Sequence, residues 1–186
     1  MKTMQFFKQC LVVCTLIGSL QVTGQRMVDR NGQVSFEASE ALFEPVEATN
    51  NSVTAVLDVS TNEIASLALM KGFRFENSLM EEHFNENYME SETYPKATFK
   101  GQLLEFDLNS MTTEPQKIRV NGKLTLHGKE KAIDTFLEIS AAKEVLQMKG
   151  SFSVTPKDFD ISIPAIVQNK IAKEVIISLD FNLKAL

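Results

Sequence analysis

Few residues of this chain could perform acid–base or metal chemistry, since its 186 residues include only 2 histidines and 2 cysteines. His83 and His127 fall in different predicted elements, and neither belongs to an H-x-x-H or H-E-x-x-H sequence, the spacings that bring two imidazoles to one metal ion. We therefore predict no metal site. We expect His83 to pack on a helix face and His127 to lie in a hairpin turn.

Two acidic pairs are the other candidates for acid–base chemistry. Glu81 and Glu82 fall in the first turn of a predicted helix, where negative charge complements the helix dipole and a structural role is sufficient. Asp158 and Asp160 flank Phe159, and in a strand both carboxylates would lie on one face. They could form an acid–base pair, but a solvated strand end is the simpler interpretation, because isolated acids are weak evidence for catalysis. We expect no catalytic residue and no enzyme activity.

The start of the chain resembles a secretory signal peptide. Lys2 and Lys8 form a basic region, residues 10–20 form a short apolar run, and residues 22–24 offer small side chains before a cleavage point. The apolar run is shorter than the ~20 residues that a transmembrane anchor needs. We therefore predict that residues 1–24 are removed, leaving a single domain over residues 25–186.

Removal of that segment would change the chemistry of the chain. Both cysteines (Cys10 and Cys14) and two lysines lie in it, so 17 basic residues would remain against 24 acidic ones, a net charge of −7. Without thiols the chain can form no disulfide, thiolate metal site or cysteine nucleophile. Export without disulfides favours a bacterial periplasm or secretion as a soluble protein. The acidic balance, with no basic run, excludes nucleic acid as a partner.

Alternation of apolar and polar residues with a period of two dominates the rest of the chain and predicts half-buried strands. The clearest same-face sets are Ile118, Val120, Gly122, Leu124 and Leu126; Leu146, Met148, Gly150, Phe152 and Val154; and Val175, Ile177, Leu179, Phe181 and Leu183. Weaker alternation brings the total to about eight strands and covers residues 34–38, 53–59, 64–71, 97–108 and 133–139.

Short polar or glycine-containing breaks separate these strands, at Asn50-Asn51 and at residues 107–115, 127–129 and 141–144. Strands joined by short turns, with no helices between them, favour an antiparallel meander. We therefore predict an all-β fold, an eight-stranded antiparallel barrel.

One segment has helical spacing instead. Apolar residues recur over residues 78–88, and Ser78 with Glu81 has the spacing of a capping box. Pro95 follows soon after it. A single short helix among eight strands suggests a barrel with one end covered.

Phenylalanine is abundant, with 13 in the sequence and no tryptophan. Phenyl rings carry no polar group, so they suit a dry interior. An eight-stranded barrel is the size at which the interior is either packed solid or wide enough for one small ligand, and composition does not distinguish the two.

Three sequence motifs in order resemble the YceI-like family. The first lies in residues 80–103, where His83-Phe84 is followed by Tyr94-Pro95 and then Phe99. The second is the V-x-G-x-L-T-I-x-G hairpin, represented by residues 120–128 and followed by the basic Lys131. The third is D-F/Y-x-I at residues 158–161. Residues 171–183 are also similar to the closing strand of the family.

This resemblance implies a lipocalin-like up-and-down barrel, with the helix near its mouth and an apolar cavity that holds an isoprenoid-type chain. It also implies a periplasmic or secreted protein. Residues 40–45 lack the histidine and glycine that family members have after their first strand.

Our leading hypothesis is a non-enzymatic protein that binds, transports or sequesters a long-chain amphipathic lipid of the polyisoprenoid or quinone type, with no other cofactor. The alternative is a periplasmic stress-response or interaction module whose barrel is a scaffold for a membrane-associated protein, and the sequence leaves a homodimer open. The candidate lining residues, each of which could instead be plain core, are Phe75, Leu79, Phe84, Phe99, Phe106, Phe136, Phe152, Phe159 and Ile163.

Overall fold

The structure is a computed structural model that describes residues 26–40 and 43–186. The predicted signal peptide lies outside the described residues. The eight strands are β1 Arg26–Ser39, β2 Glu47–Asp58, β3 Glu63–Leu69, β4 Lys96–Leu103, β5 Gln116–Leu126, β6 Lys129–Ala142, β7 Val145–Val154 and β8 Ile171–Ala185. One α-helix, α1 Ser78–His83, continues into a π-helical turn at Phe84–Tyr88, and 3₁₀ turns occur at Met70–Gly72, Leu108–Ser110 and Pro156–Phe159.

Each strand pairs antiparallel with the next one, and β8 pairs with β1 to close the barrel. The predicted fold class, an eight-stranded antiparallel barrel with one short helix, is confirmed. Among the described residues, no helix combines the length and hydrophobicity that a bilayer crossing requires.

Because each strand runs antiparallel to the next, successive connections lie alternately at one end of the barrel and at the other. Residues 40–46, 70–95, 127–128 and 155–170 connect strands at one end, which we call the upper end. The other connections, residues 59–62, 104–115 and 143–144, and both ends of the described chain lie at the opposite, lower end.

The lower half of the barrel is packed solid. The alternation predicted for β5, β7 and β8 is confirmed, because their same-face residues point inward. Side chains almost fully removed from solvent there are Leu57, Leu103, Ile139, Leu146, Met148 and Leu183. This tight packing holds the strands in register below the upper end.

The turn predicted at Asn50-Asn51 is wrong, because both residues lie inside β2. Asn50 is only 1% exposed, and its side-chain amide donates to the carbonyl oxygen of Leu69 at 3.0 Å while its side-chain oxygen accepts from the amide of Ser52 at 2.9 Å. A buried asparagine with both groups satisfied is compatible with a strand. Asn50 therefore makes a tertiary contact with Leu69, and the chain does not reverse direction at this pair.

Replacing Asn50 by Ala is expected to destabilise the protein by about 1–3 kcal/mol, because the carbonyl of Leu69 and the amide of Ser52 lose their buried partner. Asn51 is the matched control, since its side chain is exposed and its replacement by Ala should cost less than about 0.5 kcal/mol. Urea unfolding of the two variants measures both values. Equal effects would contradict the structural role of Asn50.

The helix is placed correctly by its spacing, but its predicted capping box is wrong. The N-cap residue is Asn77, whose side chain accepts from the amides of Leu79 and Met80. Glu81 instead accepts from the guanidinium of Arg74 at 2.8 Å and from the amide of Phe75 at 3.2 Å. Asparagine is as good an N-cap as serine, and the helix therefore starts at Ser78, one residue earlier than it would with Ser78 as its cap.

Candidate ligand-binding cavity

The upper half of the barrel encloses a cavity of about 530 Å³. Its walls are the inward-facing side chains of the strands, and its upper border is formed by α1, the π-helical turn and residues 161–171. Most of the lining is apolar. Below it, Val53, Ile64 and Phe181 are both buried and in contact with the cavity, and they form its floor.

Seven of the nine predicted lining residues border this cavity. They are Phe75, Leu79, Phe84, Phe99, Phe152, Phe159 and Ile163. The other two do not. Phe106 is buried in the packed lower core, because it follows β4 at the lower end.

Phe136 lies on the outer surface and is 56% exposed. The inward positions of β6 are Ile133, Thr135 and Leu137, so Phe136 falls on the opposite face. The alternation in the sequence already indicated this register, since Ile133 and Leu137 lie an even number of positions apart and Phe136 lies between the inward positions. The period of two along β6 therefore places Phe136 on the outer face.

Four phenylalanines fix the helical segment over the barrel. Phe84 of the π-helical turn is stacked on Phe36 of β1 with ring centroids 5.3 Å apart, and it lies 5.2 Å from Phe75 and 5.9 Å from Phe73. Aromatic pairs at these distances add to the stabilisation from burial alone. Phe36 and Phe73 also line the cavity and were missed from the sequence, although Phe36 lies in a predicted strand.

The wall at β4 and β5 is shaped by two glycines that pair across the strands. A Cβ atom on Gly101 or Gly122 would lie 2.7 or 2.6 Å from Cζ of Phe99, which is closer than carbon atoms approach. The Phe99 ring occupies the space that two side chains would otherwise fill. It therefore lies against the wall and leaves the centre of the barrel open.

Polar groups are concentrated at the border of the cavity. The charged or titratable lining residues, Glu44, His83, Tyr88 and Lys170, all belong to upper-end connections. Lys170 Nζ lies 6.0 Å from the ring centroid of Phe43. Within the described part of residues 40–45, Phe43 and Glu44 border the cavity. An apolar body with a charged rim is the arrangement that suits an amphipathic molecule.

The residues of the three sequence motifs meet at one place on the barrel. His127 lies in the β5–β6 turn, as predicted, but it is only 8% exposed. Its Nδ1 donates to the carbonyl oxygen of Phe159 at 2.9 Å, since a carbonyl accepts only. Its ring centroid is 4.4 Å from that of Tyr94, and its Nε2 is 3.7 Å from Oε1 of Glu90.

Asp158 and Asp160 do not lie on a strand, which corrects that part of the prediction. The 3₁₀ turn Pro156–Phe159 carries Asp158, and Asp160 follows it in the left-handed conformation with φ of 54°. Asp158 pairs with Lys131 at 3.4 Å and Asp160 with Lys129 at 2.7 Å.

The hydrogen bond from Lys129 holds the pKa of the Asp160 carboxyl below its usual value. The ion pair therefore persists to a lower pH than it would with an unshifted carboxyl, and it is lost as the pH falls through the lowered pKa. Both aspartates fasten the 3₁₀ turn to β6. Within residues 26–40 and 43–186, no cluster of three or more His, Cys, Asp or Glu is placed to hold a metal ion.

The closed eight-stranded meander, solid at one end and hollow and apolar at the other, defines a barrel of the small-ligand-binding class. The family model of the YceI-like domain matches residues 26–183. The chain belongs to this family, as its motifs indicated.

Solved structures of low sequence identity share the fold. A polyisoprenoid binding domain from Saccharophagus degradans, implicated in plant cell wall breakdown, superposes with a TM-score of 0.74 at 15% identity, covering 87% of this chain and 98% of that one. BcnA of Burkholderia cenocepacia superposes with a TM-score of 0.67 at 18% identity, covering 84% and 98%. The YCEI protein of Campylobacter jejuni gives 0.56 at 18% identity, covering 77% and 88%. No curated protein shows significant similarity to the sequence.

Proposed function

We propose that this protein is a non-enzymatic carrier or sequestering protein for a long-chain amphipathic lipid of the polyisoprenoid or quinone type. The observation that carries the proposal is the apolar cavity of about 530 Å³ bordered by charged groups at one end. This volume falls within the range typical of small-molecule sites. One structural neighbour is described as a polyisoprenoid binding domain, which supports the same ligand class.

Burial of a hydrocarbon chain supplies enough free energy for such a role. About fifteen methyl or methylene groups removed from water contribute roughly 12 kcal/mol. Ordering costs of about 4 kcal/mol leave about 8 kcal/mol, which corresponds to a dissociation constant near 1 μM. The chain provides most of this energy, and the charged rim at Glu44, His83 and Lys170 would act on the head group.

The direct test is to purify the full chain from its native host without detergent, extract it with organic solvent and analyse the extract by mass spectrometry. We expect an isoprenoid-type lipid in near-stoichiometric amount. The Ser66→Phe variant, whose new side chain would occupy the cavity, serves as the control and should carry much less of the same lipid. An extract without lipid, together with no binding of added isoprenoid alcohols, would overturn the proposal.

We also propose that residues 1–24 direct export to the periplasm or outside the cell. The basic region and short apolar run of this segment support this proposal. N-terminal sequencing of the protein recovered from a periplasmic fraction should begin at Gln25. Recovery of the intact N-terminus from the cytoplasmic fraction would overturn it.

A further inference from the structure

The barrel wall is interrupted between β6 and β7. Their pairing runs from Ala142↔Val145 up to Leu137↔Gly150 and ends there among the described residues. By contrast, the β5–β6 pairing continues to Leu126↔Lys129 and the β7–β8 pairing to Val154↔Val175. Thr135 Oγ1 still donates to the carbonyl oxygen of Ser151 at 3.2 Å. Above that bond no β6–β7 pairing is present among the described residues, and we call the opening between residues 129–134 and 152–154 the seam.

A short segment, residues 156–160, which we call the plug, fills the seam. Its Phe159 is only 1% exposed and borders the apolar cavity. Phe159 also borders a second cavity of about 210 Å³, together with Ile133 and Val154 from the two sides of the seam. The same three residues line both cavities. At the seam the wall is therefore one layer of side chains thick.

The second cavity differs in chemistry from the first. Its lining includes the charged Lys131, Asp158 and Glu174 and the hydroxyl-bearing Ser153 and Thr155. Displacement of Phe159 would join this polar cavity to the apolar one. An amphipathic molecule could then keep its polar end among charged groups while its chain passes between β6 and β7.

Side chains attach the plug to the barrel more than backbone does. The backbone hydrogen bonds of Asp158, Asp160 and Ile161 go to Thr155, Lys157 and Pro156, within or next to the plug itself. The polar attachments to β6 are the ion pairs of Lys129 and Lys131, whose side chains are about half exposed. The ring of Phe159 packs with Leu124 and Val154 in a second apolar cluster. Exposed ion pairs contribute little to stability.

The upper border of the cavity is held differently. There, Phe84 is packed against three other phenylalanine rings, and movement of the helical segment would separate all of these contacts. Movement of the plug withdraws the single ring of Phe159 from its cluster with Leu124 and Val154, and it breaks exposed ion pairs and the hydrogen bond to His127. At the plug one ring therefore separates the two cavities, whereas four rings close the wall at the helical segment.

We propose that the seam is a lateral portal through which the hydrocarbon chain of the ligand enters and leaves the barrel, and that the plug is its gate. This inference rests on the proposed lipid-binding function. It assigns to the motif residues Lys131, Asp158 and Phe159 control over the rate of ligand exchange, while the affinity comes from the apolar cavity.

The first test locks the gate reversibly. Lys131→Cys and Asp158→Cys are combined in a chain whose Cys10 and Cys14 are replaced by Ser, and the thiols are joined by a reductant-cleavable bis-methanethiosulfonate. Release of all-trans-retinol, a fluorescent isoprenoid alcohol, to phosphatidylcholine vesicles is followed by stopped flow. We expect release to slow by about tenfold or more, with recovery after reduction, because changes confined to the passage act on rates.

The control crosslink joins Lys149→Cys to Asp180→Cys, which face each other on the paired strands β7 and β8. It should leave release unchanged. If retinol binds and the locked gate releases it as fast as this control, the portal is overturned and the lipid-binding proposal stands. If retinol and other isoprenoid alcohols do not bind to the unmodified protein, both proposals fail.

A second test weakens the gate without a crosslink. Lys131→Met removes one ion pair of the plug, and we expect release to accelerate by up to about fivefold, the range of a single exposed pair. Lys149→Met is the matched control, because Lys149 pairs with Asp180 at 3.0 Å on the paired strands β7 and β8, outside the seam and the plug. Equal release rates in the two variants would contradict a gate fastened by Lys131.

Discussion

Replacing Ser66 by Phe is expected to lower the affinity for all-trans-retinol by about a hundredfold while the barrel stays folded. Ser66 points from β3 into the cavity, so a phenyl ring there would occupy space that the ligand needs. Displacing about four methylene groups loses roughly 3 kcal/mol, which corresponds to about a hundredfold in affinity. Fluorescence titration measures the change.

Ala65→Phe is the matched control. Ala65 is the preceding residue of the same strand and faces outward, so the same ring is added on the solvent side. Retinol affinity should then stay within about twofold of the unchanged protein, since no atom enters the cavity. Parallel losses in both variants would show that the effect comes from distortion of β3, and the position of the cavity would be contradicted.

Truncating leucines on the inner face of β8 is expected to destabilise the protein much more in the packed part of the barrel than beside the cavity. Leu183 is 0% exposed in the packed lower half, and Leu183→Ala should destabilise the protein by about 2–5 kcal/mol, because it creates a new void. Leu179 faces the existing cavity, so Leu179→Ala enlarges a space that is already open and should cost less than about 1.5 kcal/mol.

Urea unfolding with both variants measures this contrast directly. The two positions share a strand, a face and a side chain, so the difference reports on packing alone. A similar loss at both positions would mean that the barrel is packed along its whole length, and the cavity would have no place for a ligand. A measurable loss of retinol binding only in the Leu179 variant would strengthen the assignment.

The sequence predicted the strands and the helix because these elements depend on local periodicity. Inward alternation along β5, β7 and β8 and the helical spacing at residues 78–88 are both visible without tertiary information. One error arose because a distant contact decides: Asn50 resembles a turn residue, but its side chain is satisfied by the carbonyl of Leu69. The other error is local, because Asn77 and Ser78 are neighbouring residues that can both cap a helix, and Asn77 does so.

Cavity residues were predicted less completely for a similar reason. The sequence period could assign each aromatic residue to one face of a strand. It could not predict whether that residue lies in the packed lower half of the barrel or beside the cavity in the upper half. Phe106 shares its residue type with Phe99, yet it lies at the lower end, where side chains fill the interior. The end of the β6–β7 pairing at Leu137↔Gly150 has no sequence signal, since pairing between strands is set by their twist and by what lies between them.

The most recognisable sequence motifs contribute mainly to the construction of the wall. Tyr94, His127 and Lys131 surround the plug, which itself carries Asp158, whereas most of the cavity lining is formed by apolar residues outside the three motifs. The lining residues of a barrel can change to suit a ligand while the contacts that hold the plug in the wall stay the same. The motifs therefore identify the architecture more sharply than they identify the ligand.

The packed floor at Val53, Ile64 and Phe181 fixes how deep a hydrocarbon chain could extend into the barrel. A chain that reaches the floor can go no deeper, because close-packed interiors yield little. Every additional isoprene unit must then raise the head group relative to Glu44 and Lys170 at the rim. Under the proposed lipid-binding function, ligands of different length would therefore differ in the height of their polar ends above the floor, while the lower part of each chain would contact the same wall.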